Sequence, residues 1–251
     1  MKTCIFLTLC VAFVAVLAGC AHHKETDEIL VPDVSSSITP EASATMWEVL
    51  NSSVQALRRG DSLFVLPVTA DAGNDVSGHS LFEAAPDIHH RESLDQDLDD
   101  MRAKATQDVE NLRTQFQAKQ GAYTDLLGTF QVVSEKVRSL RAGNRVLVLV
   151  LSDFIQDDTQ FNFKTDPRLE SSEKAKTLAT DLAQQTTCHL HGVSVYLGYL
   201  ESRDLAQLSR RRRQAITTFW LTFLSQQGAR VTVATDGPGS AQSFLERSTE
   251  D

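Results

Sequence analysis

Cysteine is scarce in this chain, and it cannot supply a disulfide framework. Only 4 of the 251 residues are cysteines. Cys4 and Cys10 fall in an apolar leader at the amino terminus and Cys20 directly follows it, which leaves Cys188 alone in the rest of the sequence. An intramolecular disulfide is therefore not expected, and a thiolate-rich zinc site lacks its ligands.

The chain also has fewer positive than negative residues, and after its amino-terminal leader it has no long apolar run. The chain has 24 Lys and Arg against 33 Asp and Glu, which gives a formal net charge of −9. Because this surface repels a phosphate backbone, nucleic acid is not expected as a partner. After the leader, no apolar segment is long enough to span a bilayer.

The leader itself, residues 1–19, has the layout of a secretory signal peptide: one lysine at Lys2, an uninterrupted apolar stretch and small residues at its end. Its end, Leu17-Ala18-Gly19-Cys20, resembles the lipobox of bacterial lipoproteins, in which the cysteine is lipidated and becomes the first residue of the mature chain. The resemblance implies palmitate-type lipidation at Cys20 and a membrane-anchored protein of the cell envelope, facing outside the cytoplasm. An ordinary secretory signal and an uncleaved anchor are the alternatives.

The linker of residues 20–27 is short, so the following domain would lie close to its membrane. By the sorting rule of enteric bacteria, Ala21 in place of an aspartate favours the outer membrane on its periplasmic side.

Strand and helix patterns alternate through the rest of the chain. Apolar runs typical of strands occupy residues 28–34, 62–68, 145–153, 193–200 and 230–235, and helical patterns occupy 40–59, 94–116, 125–140, 171–185 and 203–227. This alternation predicts an α/β fold over residues 28–240: one doubly wound, mostly parallel central sheet flanked by helices. A long helical insertion at about 90–120 and a C-terminal tail at 241–251 complete the expected organisation.

Oxygen-bearing side chains follow two of the predicted strands. Asp33, Ser35 and Ser37 come after the first strand, Asp153 ends the central one, and Thr124 precedes the third helix. Because ligands of open parallel sheets bind beyond the carboxyl ends of the strands, we expect these side chains to form one site. Carboxylate and hydroxyl oxygens suit a hard cation such as Mg²⁺.

This ordered set resembles the metal-ion-dependent adhesion site of von Willebrand factor A-type domains. The family's D-x-S-x-S motif is matched by residues 33–37, its threonine by Thr124 in AYTDLLG, and its aspartate by Asp153 in VLSDF. The resemblance implies that Ser35, Ser37 and Thr124 contact Mg²⁺ or Mn²⁺ directly, and that Asp33 and Asp153 do so directly or through water. It also implies a binding or adhesion-type protein, not an enzyme, that holds an acidic group of a protein partner at the open metal position.

The chain departs from the family pattern in its long acidic helix before Thr124 and in the residue that follows Asp153. Phe154 occupies the position after Asp153 where the family commonly has glycine, and a closer textual match, Thr235-Asp236-Gly237, follows the last strand. Asp153 is the preferred ligand, because its strand directly follows the helix that begins after Thr124.

Two other functional classes remain open. A magnesium-dependent, phosphatase-like hydrolase would use Asp33 as its nucleophile, although such enzymes usually carry a second carboxylate two residues later, where this chain has Ser35. A metal-free structural scaffold would instead use the long helix and the arginine-rich helix as interaction surfaces.

The remaining polar features are expected to have structural roles. The run Arg210 to Arg213 could bind an anionic lipid or a phosphate, but a solvated helix face with one paired arginine is the preferred interpretation. Cys188 is expected to be a buried, inert thiol. Six of the seven histidines occur in closely spaced pairs, and no zinc site is expected among them: His22, His23, His89, His90, His189 and His191.

Overall fold

The computed structural model describes residues 25–58, 60–70, 80–83, 94–118, 123–140 and 142–234, together with Ala241 and Phe244. The predicted signal peptide, Cys20 and the alternative ligand Asp236 lie outside the described residues. Among the helices that are described, none has both the length and the apolar character needed to cross a membrane.

The strands form one sheet in which all but an edge strand run parallel. They are β1 (Thr26–Pro32), β2 (Ser62–Val65), β3 (Ser80–Glu83), β4 (Arg145–Ser152), β5 (Ser194–Tyr199) and β6 (Arg230–Ala234), arranged in the order β3-β2-β1-β4-β5-β6. Only β3 is antiparallel, to β2. The predicted mostly parallel sheet is therefore confirmed, whereas β3 was not predicted, because it is a short strand within a segment rich in Gly, Asn, Asp and His.

The helices follow the predicted positions with one correction. They are α1 (Pro40–Ala56), α2 (Leu94–Ala118), α3 (Leu126–Ser139), α4 (Ser172–Gln185), α5 (Arg203–Gln207) and α6 (Arg210–Gln226). The prediction of one continuous helix over 203–227 is wrong. Leu208 is extended and Ser209 caps a new helix, its hydroxyl accepting a hydrogen bond from the Arg212 amide at 3.2 Å.

Helices cover both faces of the sheet, because β4 is apolar on both sides. Val148 and Val150 belong to a core with residues of α3, α4 and α6, whereas Leu149 and Leu151 belong to a core with residues of α1 and α2. The buried positions of α2 are part of this second core, so the long helix packs against the domain and does not project from it.

The strand order reverses between β1 and β4. From β1 the sheet continues through β2 to β3, and from β4 it continues through β5 to β6 in the other direction. Loops that leave the carboxyl ends of β1 and β4 therefore diverge and leave a crevice, which is where open α/β sheets bind ligands. Asp33 and Asp153 directly follow these two strands.

Candidate metal centre

Asp33 organises the loop that follows β1. Its backbone amide donates to the carbonyl of Leu151 at 2.8 Å, which continues the β1–β4 pairing, and its side chain is almost completely buried. One carboxylate oxygen accepts from the Ser35 amide at 2.9 Å, and the other accepts from the Ser152 hydroxyl at 2.5 Å. The bond from the Ser35 amide closes a local Asx turn, and this turn orients the serines toward β4.

Asp153 lies across the crevice and is joined to Asp33 through serine hydroxyls. The Ser37 hydroxyl donates to Asp153 Oδ2 at 3.3 Å and lies 3.0 Å from the Ser35 hydroxyl. Asp153 Oδ1 accepts from the Ile155 amide at 3.0 Å. Four of the five predicted metal ligands therefore form one contiguous group of oxygen atoms.

The two carboxyl groups are electrostatically coupled. Burial raises the pKa of Asp33 above its ordinary value, although hydrogen bonds from Ser152 and Ser35 oppose this change. Burial also raises the pKa of Asp153 to about 7, and the nearby charge of Asp33 adds to the increase. No Lys, Arg or His of the described residues forms an ion pair with either carboxylate. The pair therefore favours either a bound proton or a bound cation.

Thr124, the fifth predicted ligand, occupies the neighbouring loop. It is buried, and its amide and carbonyl exchange hydrogen bonds with those of Asp157 at 2.9 and 3.0 Å. Within the described part of the chain, no hydrogen bond joins its hydroxyl to Asp33 or Asp153. The structure places Thr124 beside the segment that follows Asp153, through its pairing with Asp157.

Gln156 ties this loop to the segment after β4. Its side-chain carbonyl accepts from the amides of Leu126 at 2.8 Å and Leu127 at 3.0 Å, at the start of α3. Its amide nitrogen donates to Asp125 at 3.1 Å and also to Asp158. Because Gln156 is fully buried, these bonds fix the Thr124 loop relative to Asp153.

The donor set fits a hard divalent cation. Two carboxylates and several hydroxyls supply only oxygen, which is the ligand type that Mg²⁺ and Mn²⁺ prefer. Among the described residues, no cluster of three or more His, Cys, Asp and Glu side chains could hold a metal ion. A cation here would thus depend on serine and threonine hydroxyls as well as on Asp33 and Asp153.

Two further serines of the site were not predicted from the sequence. Ser152 donates to Asp33, and Ser202, which follows β5, hydrogen-bonds to Asp153. The loop after β5 also pairs with the loop after β1, since Ile38 and Ser202 form a β-bridge and the Arg203 amide donates to the Ser37 carbonyl at 3.0 Å. The rule that found Asp33 and Asp153, inspection of residues after parallel strands, could also have found Ser202.

Phe154 adopts the backbone conformation that normally favours glycine. Its φ is 60°, and it is the only non-glycine residue of the described chain with a positive φ. Its fully buried ring lies 4.6 Å from that of Tyr199, and its carbonyl accepts from the Trp220 indole at 2.9 Å. Core packing thus offsets the conformational cost of this turn, which is about 1 kcal/mol.

Two of the remaining candidates from the sequence, Cys188 and Arg212, have structural surroundings. Cys188 is buried, and burial raises the pKa of its thiol to about 11, as expected for an inert cysteine. Arg212 is the paired arginine of its run, since it donates to the carbonyls of Phe163 at 3.1 Å and Asp166 at 3.0 Å.

No family model and no curated protein matches the sequence. Solved structures of similar shape include the manganese-loaded TRAP protein of Plasmodium vivax, with 14% identity and a TM-score of 0.45 over 88% of this chain and 72% of that one. The pilus adhesin SpaC of Lactobacillus rhamnosus GG, in its open conformation, has 12% identity and a TM-score of 0.47 over 92% of this chain. The human COPII-coat protein Sec24c has 11% identity and a TM-score of 0.43 over 91%.

This chain spans only 30% of SpaC and 32% of Sec24c. With TM-scores of 0.43 to 0.47, these likenesses are too weak to define the fold or the site. The fold is defined by the strand order, and the site by the side chains at the carboxyl ends of β1 and β4.

Proposed function

We propose that this protein is a binding protein of the bacterial cell envelope that holds a protein partner through a divalent cation, Mg²⁺ or Mn²⁺. The observation that supports it is the buried pair Asp33 and Asp153, joined through Ser35 and Ser37 at the point where the strand order reverses. Among the described residues no cationic side chain pairs with these two buried carboxylates, and a metal ion would offset their charge.

Each residue of the site has a separate task in this proposal. Ser35, Ser37 and Thr124 offer hydroxyl oxygens, and Asp33 and Asp153 offer negative charge. The cation supplies a positive charge that an acidic group of the partner can approach. Ser152 and Ser202 hold the two aspartates in place, and Tyr123, which is 55% exposed and adjoins Thr124 in the chain, offers an aromatic surface to a partner.

Thermal unfolding of the purified full chain tests the metal site. We expect Mg²⁺ or Mn²⁺ to raise the Tm by several degrees relative to chelator, because a ligand that binds only the folded state stabilises it. Asp33→Ala and Ser37→Ala should both lose this response. Asp181→Asn removes an exposed charge of α4 and is the matched control, which should respond like the parent chain.

Equal melting of the parent chain in metal and in chelator would remove the metal from the proposal and favour the scaffold. Asp33→Ala removes a buried group and could lose the response because it misfolds. Ser37→Ala leaves both carboxylates in place and therefore controls for misfolding.

Recruitment of a partner requires its own experiment. Partner capture by the metal-loaded chain should be lost in chelator and in Ser37→Ala, and retained in Asp181→Asn. Capture that persists in chelator would show that the partner binds elsewhere on the domain.

We also propose that the site is not enzymatic. Asp33 accepts hydrogen bonds at both carboxylate oxygens and is almost completely buried, which disfavours its attack on a substrate. Magnesium-dependent hydrolysis of a phosphate ester that is abolished by Asp33→Asn would identify the phosphatase-like alternative instead.

Membrane anchoring through Cys20 is the remaining part of the proposal, and it rests on the lipobox sequence alone. Metabolic labelling with a palmitate analogue should mark the parent chain, and Cys20→Ser should abolish both the label and retention in the membrane fraction. A Cys20→Ser chain that stays in the membrane would instead favour an uncleaved anchor.

A further inference from the structure

A cavity separate from the candidate metal centre opens at the carboxyl ends of β5 and β6. Its volume is about 640 Å³, and it lies between α1 and the first turns of α6. Apolar side chains form most of its walls, among them Met46, Val49, Leu151, Tyr196, Leu200 and Val233. None of the predicted metal ligands lines it. The volume falls within the range of small-molecule binding sites, which is about 300–1,000 Å³.

Two arginines line this mostly apolar cavity. Arg210 and Arg213 belong to the first turn of α6, and both are exposed. Within the described part of the chain, neither guanidinium has an acidic partner or a side-chain hydrogen bond. The cavity therefore combines apolar walls with two uncompensated positive charges.

The other two arginines of the run are directed elsewhere. Arg212 donates to the carbonyls of Phe163 and Asp166. The pKa of Glu170 is lowered mainly by its hydrogen bond with Lys174, and also by the charges of Arg212 and Arg211. Arg211 and Arg212 therefore have neighbours that offset their charge, whereas among the described residues Arg210 and Arg213 have none.

The position of these charges adds to the local positive potential. The first turn of α6 contains no acidic residue, and the amino end of a helix is itself partially positive. Arginines here are repelled by the helix dipole and by one another. A bound anion would relieve this repulsion, and the apolar walls select for an anion that carries an apolar chain.

We propose that this cavity binds a single-chain anionic amphiphile. The apolar chain lies against Leu151, Tyr196 and Val233, and the anionic head pairs with Arg210 and Arg213. A carboxylate or a phosphate can each accept from a guanidinium, so a free fatty acid and a single-chain phospholipid share the required chemistry.

Isothermal titration calorimetry of the purified full chain with laurate, below its micellar concentration, tests this assignment. We expect laurate to bind about tenfold more tightly than dodecanol, which has the same chain and no charge. Arg210→Gln combined with Arg213→Gln should reduce laurate affinity by about tenfold or more, and Arg211→Gln, in the same turn but outside the cavity, should leave it unchanged.

A second variant separates the cavity from the surface charge. Thr45 is a partly exposed residue of the wall, so Thr45→Phe should narrow the cavity without emptying the core, and laurate binding should be lost. Equal affinity for laurate and dodecanol, equal losses in Arg211→Gln and the double variant, or full binding by Thr45→Phe would each overturn the proposal.

The source of the amphiphile is distinguished by a parallel titration with lysophosphatidylglycerol. Binding of laurate alone identifies a free fatty acid, and binding of the lysolipid alone identifies a lipid head group. Binding of neither overturns the proposal. The metal centre is tested by chelator and this cavity by laurate, so either result stands without the other.

Discussion

Asp33 and Asp153 occupy neighbouring strand ends, where burial and mutual repulsion both favour the protonated acids. The folded-state pKa of Asp153, about 7, lies above its ordinary value of 3.8, so the folded chain holds a proton that the unfolded chain releases. Its contribution to stability is therefore complete below the ordinary value and is lost as the pH rises through about 7.

Asp153→Asn removes this dependence, because the asparagine keeps the shape of the side chain without its charge. In chelator at about pH 8, we expect the variant to be more stable than the parent chain by about 2 kcal/mol. Urea denaturation at several pH values measures the difference, which should disappear in acid. Added Mg²⁺ should stabilise the parent and not the variant, and a variant that is less stable in chelator at every pH would contradict this account.

At Phe154, a well-packed side chain is attached to a backbone with an unfavourable, positive φ. Phe154→Gly relieves the strain of the positive φ but empties a fully buried ring site. Since the loss of a buried phenylalanine outweighs the strain, we expect a net loss of about 3 kcal/mol in the free energy of unfolding. Tyr123→Ala, which truncates an exposed aromatic side chain, is the control and should change stability by less than about 0.5 kcal/mol. A stabilised Phe154→Gly chain would show that strain dominates.

At the scale of elements, Ser209 separates α5 from α6 by capping the amino end of α6. Ser209→Ala removes the hydroxyl that accepts from the Arg212 amide, and we expect a loss of about 1 kcal/mol in the free energy of unfolding. Ser225→Ala, an exposed substitution in the last turn of α6, should have no effect or a slight stabilising one, because alanine favours the helix. Chemical denaturation compares the two, and equal effects would show that Ser209 does not act as a cap.

Most elements could be predicted because their local pattern agrees with their environment. The unbroken apolar run of β4 predicts a strand buried on both faces, and Thr39 before Pro40 predicts the start of α1, where the Thr39 hydroxyl does accept from the Ala42 amide at 3.2 Å. The edge strand β3 has no such pattern, because its pairing with β2 comes from tertiary structure. The division of α5 from α6 had a local signal in Ser209, but the longer apolar periodicity concealed it.

The candidate ligands could be predicted from the sequence more readily than the residues that hold them in place. Asp33, Ser35, Ser37 and Asp153 share an ordered pattern after two strands. Ser202 becomes part of the site only because β5 lies next to β4, which no local sequence pattern specifies. The positive φ of Phe154 is likewise invisible in a sequence that has no glycine there.

For the whole molecule, buried acids at opposite ends of the sheet predict an unusual pH dependence. Glu28, at the amino end of β1, is buried, and burial raises its pKa to about 7, with the nearby Ser53 hydroxyl opposing the increase and the charge of Asp61 adding to it. One of its carboxylate oxygens is among the buried atoms of the described chain without a hydrogen-bond partner. Like that of Asp153, this contribution to stability is lost as the pH rises from the ordinary value of 4.5 through about 7.

In chelator, we therefore expect the free energy of unfolding to fall between about pH 5 and pH 8, by about 2 kcal/mol for each of the two acids. Glu28→Gln should remove its part of the loss in metal and in chelator alike, whereas Mg²⁺ should offset only the part that belongs to Asp153. Because the two groups lie at opposite ends of the sheet, the effects of Glu28→Gln and Asp153→Asn should add. A stability that rises over this pH range would contradict both assignments.

The buried side chain of Gln156 has a consequence for the timescale on which the crevice opens. The first amides of a helix usually exchange their hydrogens rapidly with solvent, because no preceding turn protects them. Here the amides of Leu126 and Leu127 donate to Gln156, so their exchange requires the start of α3 to separate from the segment after β4. Hydrogen exchange at these two positions would thus report the slow opening of the whole crevice rather than local fraying of one helix end.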